Sequence, residues 1–171
     1  MTSAFKVVES VLKVALLPSH ILHPLEAAKD QINDMLFKFN EDLEGVPVVY
    51  YDLKFPPGKE YGRIMNELPW LHVDIIAKLL VFKPQVGQKL IGQINKVSDS
   101  HVSLLICGMF NASILESELS SKYKYNESTQ CWESSTEYLW EGDYIEFEVR
   151  CLHHSQGVFY MDGAPLRKCN S

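Results

Sequence analysis

The 171-residue chain is 46% hydrophobic and 22% charged, the make-up of an ordinary globular protein, which excludes a disordered polymer. Its 16 basic against 22 acidic residues leave a net charge of −6, whereas an independent, high-affinity nucleic-acid binder shows a basic surplus. The length suits one domain or two small ones of about 85 residues, whose modest cores would lean on each other or on a partner.

In chain order, residues 5–17 read as a strand rich in Val and Leu, although Val7, Val11 and Val14 also suit a helical spacing. Pro18 ends it, and His20 and His23 flank a loop. Pro24 opens a helix, where its missing N–H does no harm. Leu25, Ala28, Ile32, Met35 or Leu36, and Phe39 recur every three or four residues, one apolar stripe that packs on the sheet of its own domain. Residues 40–45 are the exit, with Gly45 expected to take the positive φ of a sharp reversal. Residues 46–55, with Val48, Val49, Tyr50, Tyr51 and Phe55, make a second strand. Residues 56–63, rich in Pro and Gly, are a loop. From Leu71 the alternation is strict, with Leu71, Val73, Ile75, Ala77, Leu79 and Val81 on one side. A strand this long is expected to bend or to run between two domains. Lys83-Pro84 and Gly87 mark a boundary.

Beyond it, residues 93–97 alternate polar with apolar, Ser98-Asp99-Ser100 turns, and residues 101–107 alternate again with Val102, Leu104 and Ile106 on one face. Gly108 permits a sharp bend into residues 109–114. Strands this short and closely spaced predict a small antiparallel barrel. Residues 115–140 lack a clear period but hold Tyr123, Tyr125, Trp132, Tyr138 and Trp140, so they predict an insertion packed on the barrel and not a free linker. After the Gly142-Asp143 turn, residues 144–151 form a strand with Ile145, Phe147, Val149 and Cys151 inward and Tyr144, Glu146, Glu148 and Arg150 toward water. Residues 153–157 read as a loop, 158–163 as the final strand and 164–171 as a tail.

Catalytic and metal signatures are missing: there is no nucleophile elbow, Walker loop or His-Glu-x-x-His. Glu116 and Glu118, or Glu146 and Glu148, share a strand face that could serve a metal but read as solvated surface. His101, His153 and His154 could act as bases, yet no nucleophile is placed beside them by the sequence. Cys107, Cys131, Cys151 and Cys169 have no zinc spacing, and Cys107 and Cys151 are expected to be buried small apolar residues. No signal peptide opens the chain and no run approaches 18 apolar residues, so a reducing compartment is expected and no membrane. The triplets at Asn111 and Asn126 are then idle as glycosylation sites.

Gly87 with Gly92, the strand at 93–97, and the closing turn from Gly108 to Ser113 resemble the S1 version of the oligonucleotide-binding barrel. The wording Pro84, Gly87-Gln88-Lys89-Leu90, Gly92 and Asn95-Lys96-Val97-Ser98, followed by Gly108 and Phe110-Asn111-Ala112-Ser113-Ile114, is similar to the large stalk subunits of RNA polymerase I. These are relatives of the seventh subunit of RNA polymerase II and of the corresponding stalk protein of archaeal polymerases. Leu43-Glu44-Gly45-Val46-Pro47-Val48 and Tyr50 resemble that family's segment after its helix. The long lysine-rich C-terminal tail of some animal members has no counterpart here.

The resemblance implies an α+β fold: an N-terminal tip domain at 1–83, with a helix across a small curved antiparallel sheet, followed by an S1-like barrel at 84–171 carrying the insertion at about 115–140. It implies a non-catalytic subunit without cofactor, in the nucleus and nucleolus. Its partners would be the RNA polymerase I core subunits, a smaller stalk subunit bound near 83–87, the polymerase I initiation factor and emerging single-stranded RNA. The loop 56–66, with Pro56, Pro57, Tyr61, Arg63 and Ile64, corresponds to the tip loop that wedges into the core. Lys89, Lys96 and Arg150 are candidates for phosphate contact and Phe110 for base stacking. Two departures weaken stacking: the usual second-strand aromatic falls at Ser103, and the usual histidine before the closing serine falls at Asn111. The alternatives are a free-standing S1-type RNA-binding factor and a stalk subunit of RNA polymerase II or III.

Overall fold

A computed structural model describes residues 3–20, 22–58, 62–64 and 69–169, excepting the Arg63 side chain. The chain divides into two compact units, Ser3–Lys83 and a second that begins at Pro84.

The first unit comprises β1 (Phe5–Leu16), a 3-10 turn, α1 (Pro24–Met35), β2 (Val46–Lys54), β3 (Arg63–Ile64) and β4 (Leu71–Phe82). The sheet order is β1-β4-β2, with β3 also on β4. β1 and β4 pair one to one from Phe5↔Phe82 to Leu16↔Leu71 without a bulge, a register that keeps the alternating apolar residues of β4 on the buried face. β4 lies wholly inside this unit as the central strand, neither bent by a bulge against β1 nor shared with the second unit. Its Val73, Ile75, Ala77, Leu79 and Val81 are buried, with Val14, Leu16, Leu43 and the Ala28 and Ile32 face of α1. The apolar stripe expected to reach Phe39 stops a turn earlier. Leu36 leaves the helix in an extended conformation, and Phe37 takes φ 60° while its N–H donates to the Pro47 carbonyl. Gly45 is required for a different reason than positive φ, which Glu44 adopts instead. A Cβ on Gly45 would lie 2.7 Å from both the Phe82 carbonyl oxygen and Val81 Cγ1. The β3 pairing (Arg63↔His72) was not anticipated, and Tyr61 lies outside the described residues.

The second unit runs β5 (Lys89–Val97), β6 (His101–Ile106), β7 (Phe110–Leu115), α2 (Glu116–Leu119), β8 (Lys124–Asn126), β9 (Cys131–Glu133), β10 (Tyr138–Leu139), β11 (Tyr144–Ser155) and β12 (Val158–Cys169). Five strands close a barrel in the order β11-β12-β7-β6-β5, with β5 pairing back onto β11 and only β12–β7 parallel. That is the connectivity of the oligonucleotide-binding fold. Its interior holds Ile94, Val102, Leu104, Ile106, Phe110, Ile114, Phe147 and Met161.

The β11–β12 ladder carries two register shifts, and several expectations about this region are overturned. Leu166 of β12 is the extra residue between the Glu146↔Arg167 and Phe147↔Pro165 pairs, and Arg150 of β11 is the extra one between Val149↔Gly163 and Cys151↔Asp162. The Arg150 bulge leaves Cys151 exposed, whereas Glu146 is buried although Ile145, Phe147 and Val149 keep the expected inward alternation, its carboxylate held by Arg167. Cys107 is exposed as well, because it sits at φ 52° in the β6–β7 turn beside Gly108. Cys131 is the buried thiol. The loop expected at 153–157 shrinks to Gln156-Gly157, both at positive φ, between two strands that continue to Ser155 and from Val158. The expected tail extends β12 to Cys169; at Gly163 within it, a Cβ would stand 2.3 Å from Phe147 Cδ2.

The aperiodic stretch after β7 is α2 and a small β10-β9-β8 sheet. Leu119, Tyr123, Cys131, Trp132 and Leu139 are buried there. Trp132 Nε1–H donates to the Ser98 carbonyl at 2.8 Å, joining this sheet to the β5–β6 turn.

Candidate interaction surfaces

The outer barrel wall carries two rows of directly opposed residues. One runs Gln93, Leu105, Asn111, Tyr160, His153; the next runs Lys96, Ser103, Ser113, Asp162, Cys151. Ser103 and Asn111, the two departures from the S1 pattern, both stand on this wall. The wall lacks the stacking ring and imidazole that the pattern supplies at those places. What it has is Tyr160, opposite Asn111 and 42% exposed, stacked on His153 with ring centroids 4.7 Å apart. His153 Nε2 lies 2.7 Å from Asp162 Oδ2, which fixes the imidazole beneath the phenol. Tyr160 was readable in the sequence, since 158–163 alternates Val, Tyr and Asp outward with Phe, Met and Gly inward.

The RNA-contact candidates do not converge. Phe110 is buried in the barrel interior, because the β7 alternation turns Phe110, Ala112 and Ile114 inward, so it offers no stacking face. Lys89 is exposed and pairs across strands with Glu148, whose Oε1 accepts from Arg150 Nη1 at 2.8 Å. The Arg150 guanidinium is thus engaged with a carboxylate and offers phosphate a partly neutralised cation. Lys96 lies at the β5 bulge opposite Ser103, on the polar wall.

Of the docking-loop candidates, Pro56 is half-buried, Pro57 exposed and Ile64 71% exposed, while the Arg63 backbone pairs with His72. Near them, Asp52 accepts from Lys78 at 2.8 Å with Lys54 at 3.6 Å. The Lys78 hydrogen bond and the two cations hold the Asp52 carboxyl below its ordinary range, and Asp52 raises Lys78 in turn.

The carboxylate pairs are not a metal face. Glu116 and Glu118 open a short helix, Glu146 Oε2 accepts from Arg167 Nε at 2.7 Å, and Glu148 is held by Arg150. Among the described residues no group of three or more His, Cys, Asp and Glu could hold a metal ion. His101 does have hydroxyls beside it, contrary to expectation: Ser98 Oγ at 3.1 Å and Ser100 Oγ at 3.0 Å from Nδ1. Ser98 Oγ, however, donates to the His101 carbonyl and accepts from its N–H, which is the work of a turn.

The fold defines a five-stranded oligonucleotide-binding barrel that follows a sheet-and-helix unit in chain order. Residues 84–163 match the family described as the RPA43 OB domain in RNA Pol I. The DNA-directed RNA polymerase I subunit RPA43 of Homo sapiens is 35% identical over 151 residues, covering 88% of this chain and 41% of that protein. The Danio rerio subunit is 32% identical over 136 residues, covering 80% and 32%. The rpa43 subunit of Schizosaccharomyces pombe is 27% identical over 158 residues, covering 89% and 90%. The chain is thus similar to RPA43 subunits over most of its own length, and it spans less than half the length of the vertebrate relatives it matches.

Proposed function

We propose that this chain is a non-catalytic structural subunit of RNA polymerase I, the large member of its stalk, acting in the nucleus at the nucleolar ribosomal RNA genes. The observation that carries the reading is likeness to RPA43 subunits through both units, 88% of the chain in the human case. In this reading the first unit is the tip, and the segment 56–66 wedges into the core. A smaller stalk subunit binds near Lys83 to Gly87, and the initiation factor docks on the exposed stalk. Wide apolar surfaces suit such a part, since a stable interface buries more than roughly 1,000 Å². Exposed Val7, Val11, Val49 and Ile64 supply such surface on the first unit.

Contact with emerging RNA is weak and independent of sequence. The net charge of −6, the missing aromatic at Ser103 and the engagement of Arg150 by the Glu148 carboxylate support that limit. Deleting residues 58–62 tests the docking: the variant should no longer co-purify with the core at high salt, and full retention would refute the wedge.

A further inference from the structure

The outer edge of β1 has no strand beside it among the described residues, since β1 pairs with β4 alone. Which backbone groups that edge presents follows from two contacts. The Lys83 N–H donates to the Ala4 carbonyl, so even-numbered residues of this stretch turn their N–H and C=O toward β4. Ala15 does the opposite: its N–H donates to Gln31 Oε1 at 3.2 Å and its carbonyl accepts from Gln31 Nε2. With no bulge between β1 and β4, Val7, Glu9, Val11 and Lys13 share the outward sense of Ala15. Gln31 thus imitates the first residue pair of an added strand and stops the edge at Ala15. The same side chain lines a groove of about 460 Å³ that runs along Ser10 to Val14 and is walled by Ile32, Met35 and Leu43.

We infer that β1 is the acceptor edge for an extended segment of a neighbouring subunit, which adds a strand beside residues 7–13; this rests on the polymerase-subunit reading above. A row of paired donors and acceptors at strand spacing is satisfied by another strand, and main-chain bonds then supply affinity while alternate side chains supply specificity. The edge dictates that alternation. On the open face the segment carries apolar residues against Val7 and Val11, a basic residue against Glu9 and an acidic one against Lys13. Its other side chains, opposite Ser10 and Leu12, enter the groove and are apolar.

Residue-resolved amide hydrogen exchange on the full chain, isolated and within the purified polymerase, tests this without a mutation. The amides of Val7, Glu9, Val11 and Lys13 should exchange freely in the isolated chain and slow at least about tenfold in the assembly, while those of Val8, Ser10 and Leu12 are slow in both. Val11→Pro, which deletes one outward donor and no β4 ladder bond, should lower retention in the assembly while the circular dichroism is unchanged. If the chain co-purifies with the polymerase and the four amides exchange equally fast in both states, the acceptor edge is refuted and the subunit reading stands. Slow amides in an isolated chain that sediments as a dimer would assign the edge to a second copy and also refute it. Failure to co-purify at all removes both.

Discussion

Trp132 carries the link between the β8–β10 sheet and the barrel, and its truncation has a calculable consequence. The indole is 2% exposed, 5.5 Å from the Tyr125 ring, and its N–H is 2.8 Å from the Ser98 carbonyl. Trp132→Ala removes a large buried ring and leaves a cavity, worth about 3–5 kcal/mol. Trp132→Phe keeps most of the apolar area but leaves the Ser98 carbonyl without its donor, about 1–2 kcal/mol. For a unit of this size each kcal/mol moves the midpoint by roughly 4–8 °C, so the alanine variant should melt at least about 12 °C earlier and the phenylalanine variant about 4–16 °C earlier. Thermal unfolding of the full chain followed by near-ultraviolet circular dichroism reads both. A shift below about 2 °C for Trp132→Ala would mean that residues 116–139 hang on the barrel without supporting it, and the packing argument would fall.

Arg167→Met strands the Glu146 carboxylate, whose side chain is 7% exposed, and should cost about 2 kcal/mol in urea unfolding, moderated because Arg167 itself faces solvent. The double variant Glu146→Leu with Arg167→Met should recover most of that, and equal losses in single and double variants would show the pair to be idle. Burial and the 2.6 Å hydrogen bond to Glu137 push the Tyr123 phenol above its ordinary range. A raised folded pKa means this stability is complete below the unfolded value of about 10 and is lost as pH rises past it, so Tyr123→Phe should flatten the alkaline fall in melting temperature. An unchanged alkaline slope would contradict that. The isolated protein should bind single-stranded RNA no tighter than micromolar in physiological salt, with Tyr160→Ala weakening it further by about tenfold. Nanomolar binding would refute the weak-contact reading.

Legibility in the sequence followed the regularity of the alternation. Residues 71–82 alternate without a break, and β4 occupies those residues. Pro24 marked the helix start, since proline is placed there by what it lacks. Bulges were invisible, because an extra residue changes which side chains face inward without leaving a composition signal; the extra Arg150 turned Cys151 outward for that reason. The helix end at Met35 was equally hidden, being set by the Phe37 contact with the Pro47 carbonyl ten residues away in the chain. The β8–β10 sheet has strands of two or three residues, too short for a period to show, and its buried residues were known only as aromatic content. On the candidate surface, the S1 pattern places Ser103 and Asn111 on the wall, where they stand. Phe110 belongs to the interior, and Tyr160 escapes the motif because it lies on the final strand, outside the stretch that carries the resemblance.

The central claim is that this chain works by holding other macromolecules together as part of RNA polymerase I. Purifying the tagged chain from its native cells and identifying the largest polymerase subunit that travels with it tests that claim most directly. The account predicts the largest subunit of RNA polymerase I in stoichiometric amount. Recovery with the largest subunit of RNA polymerase II or III, or as a free protein on RNA, would contradict it.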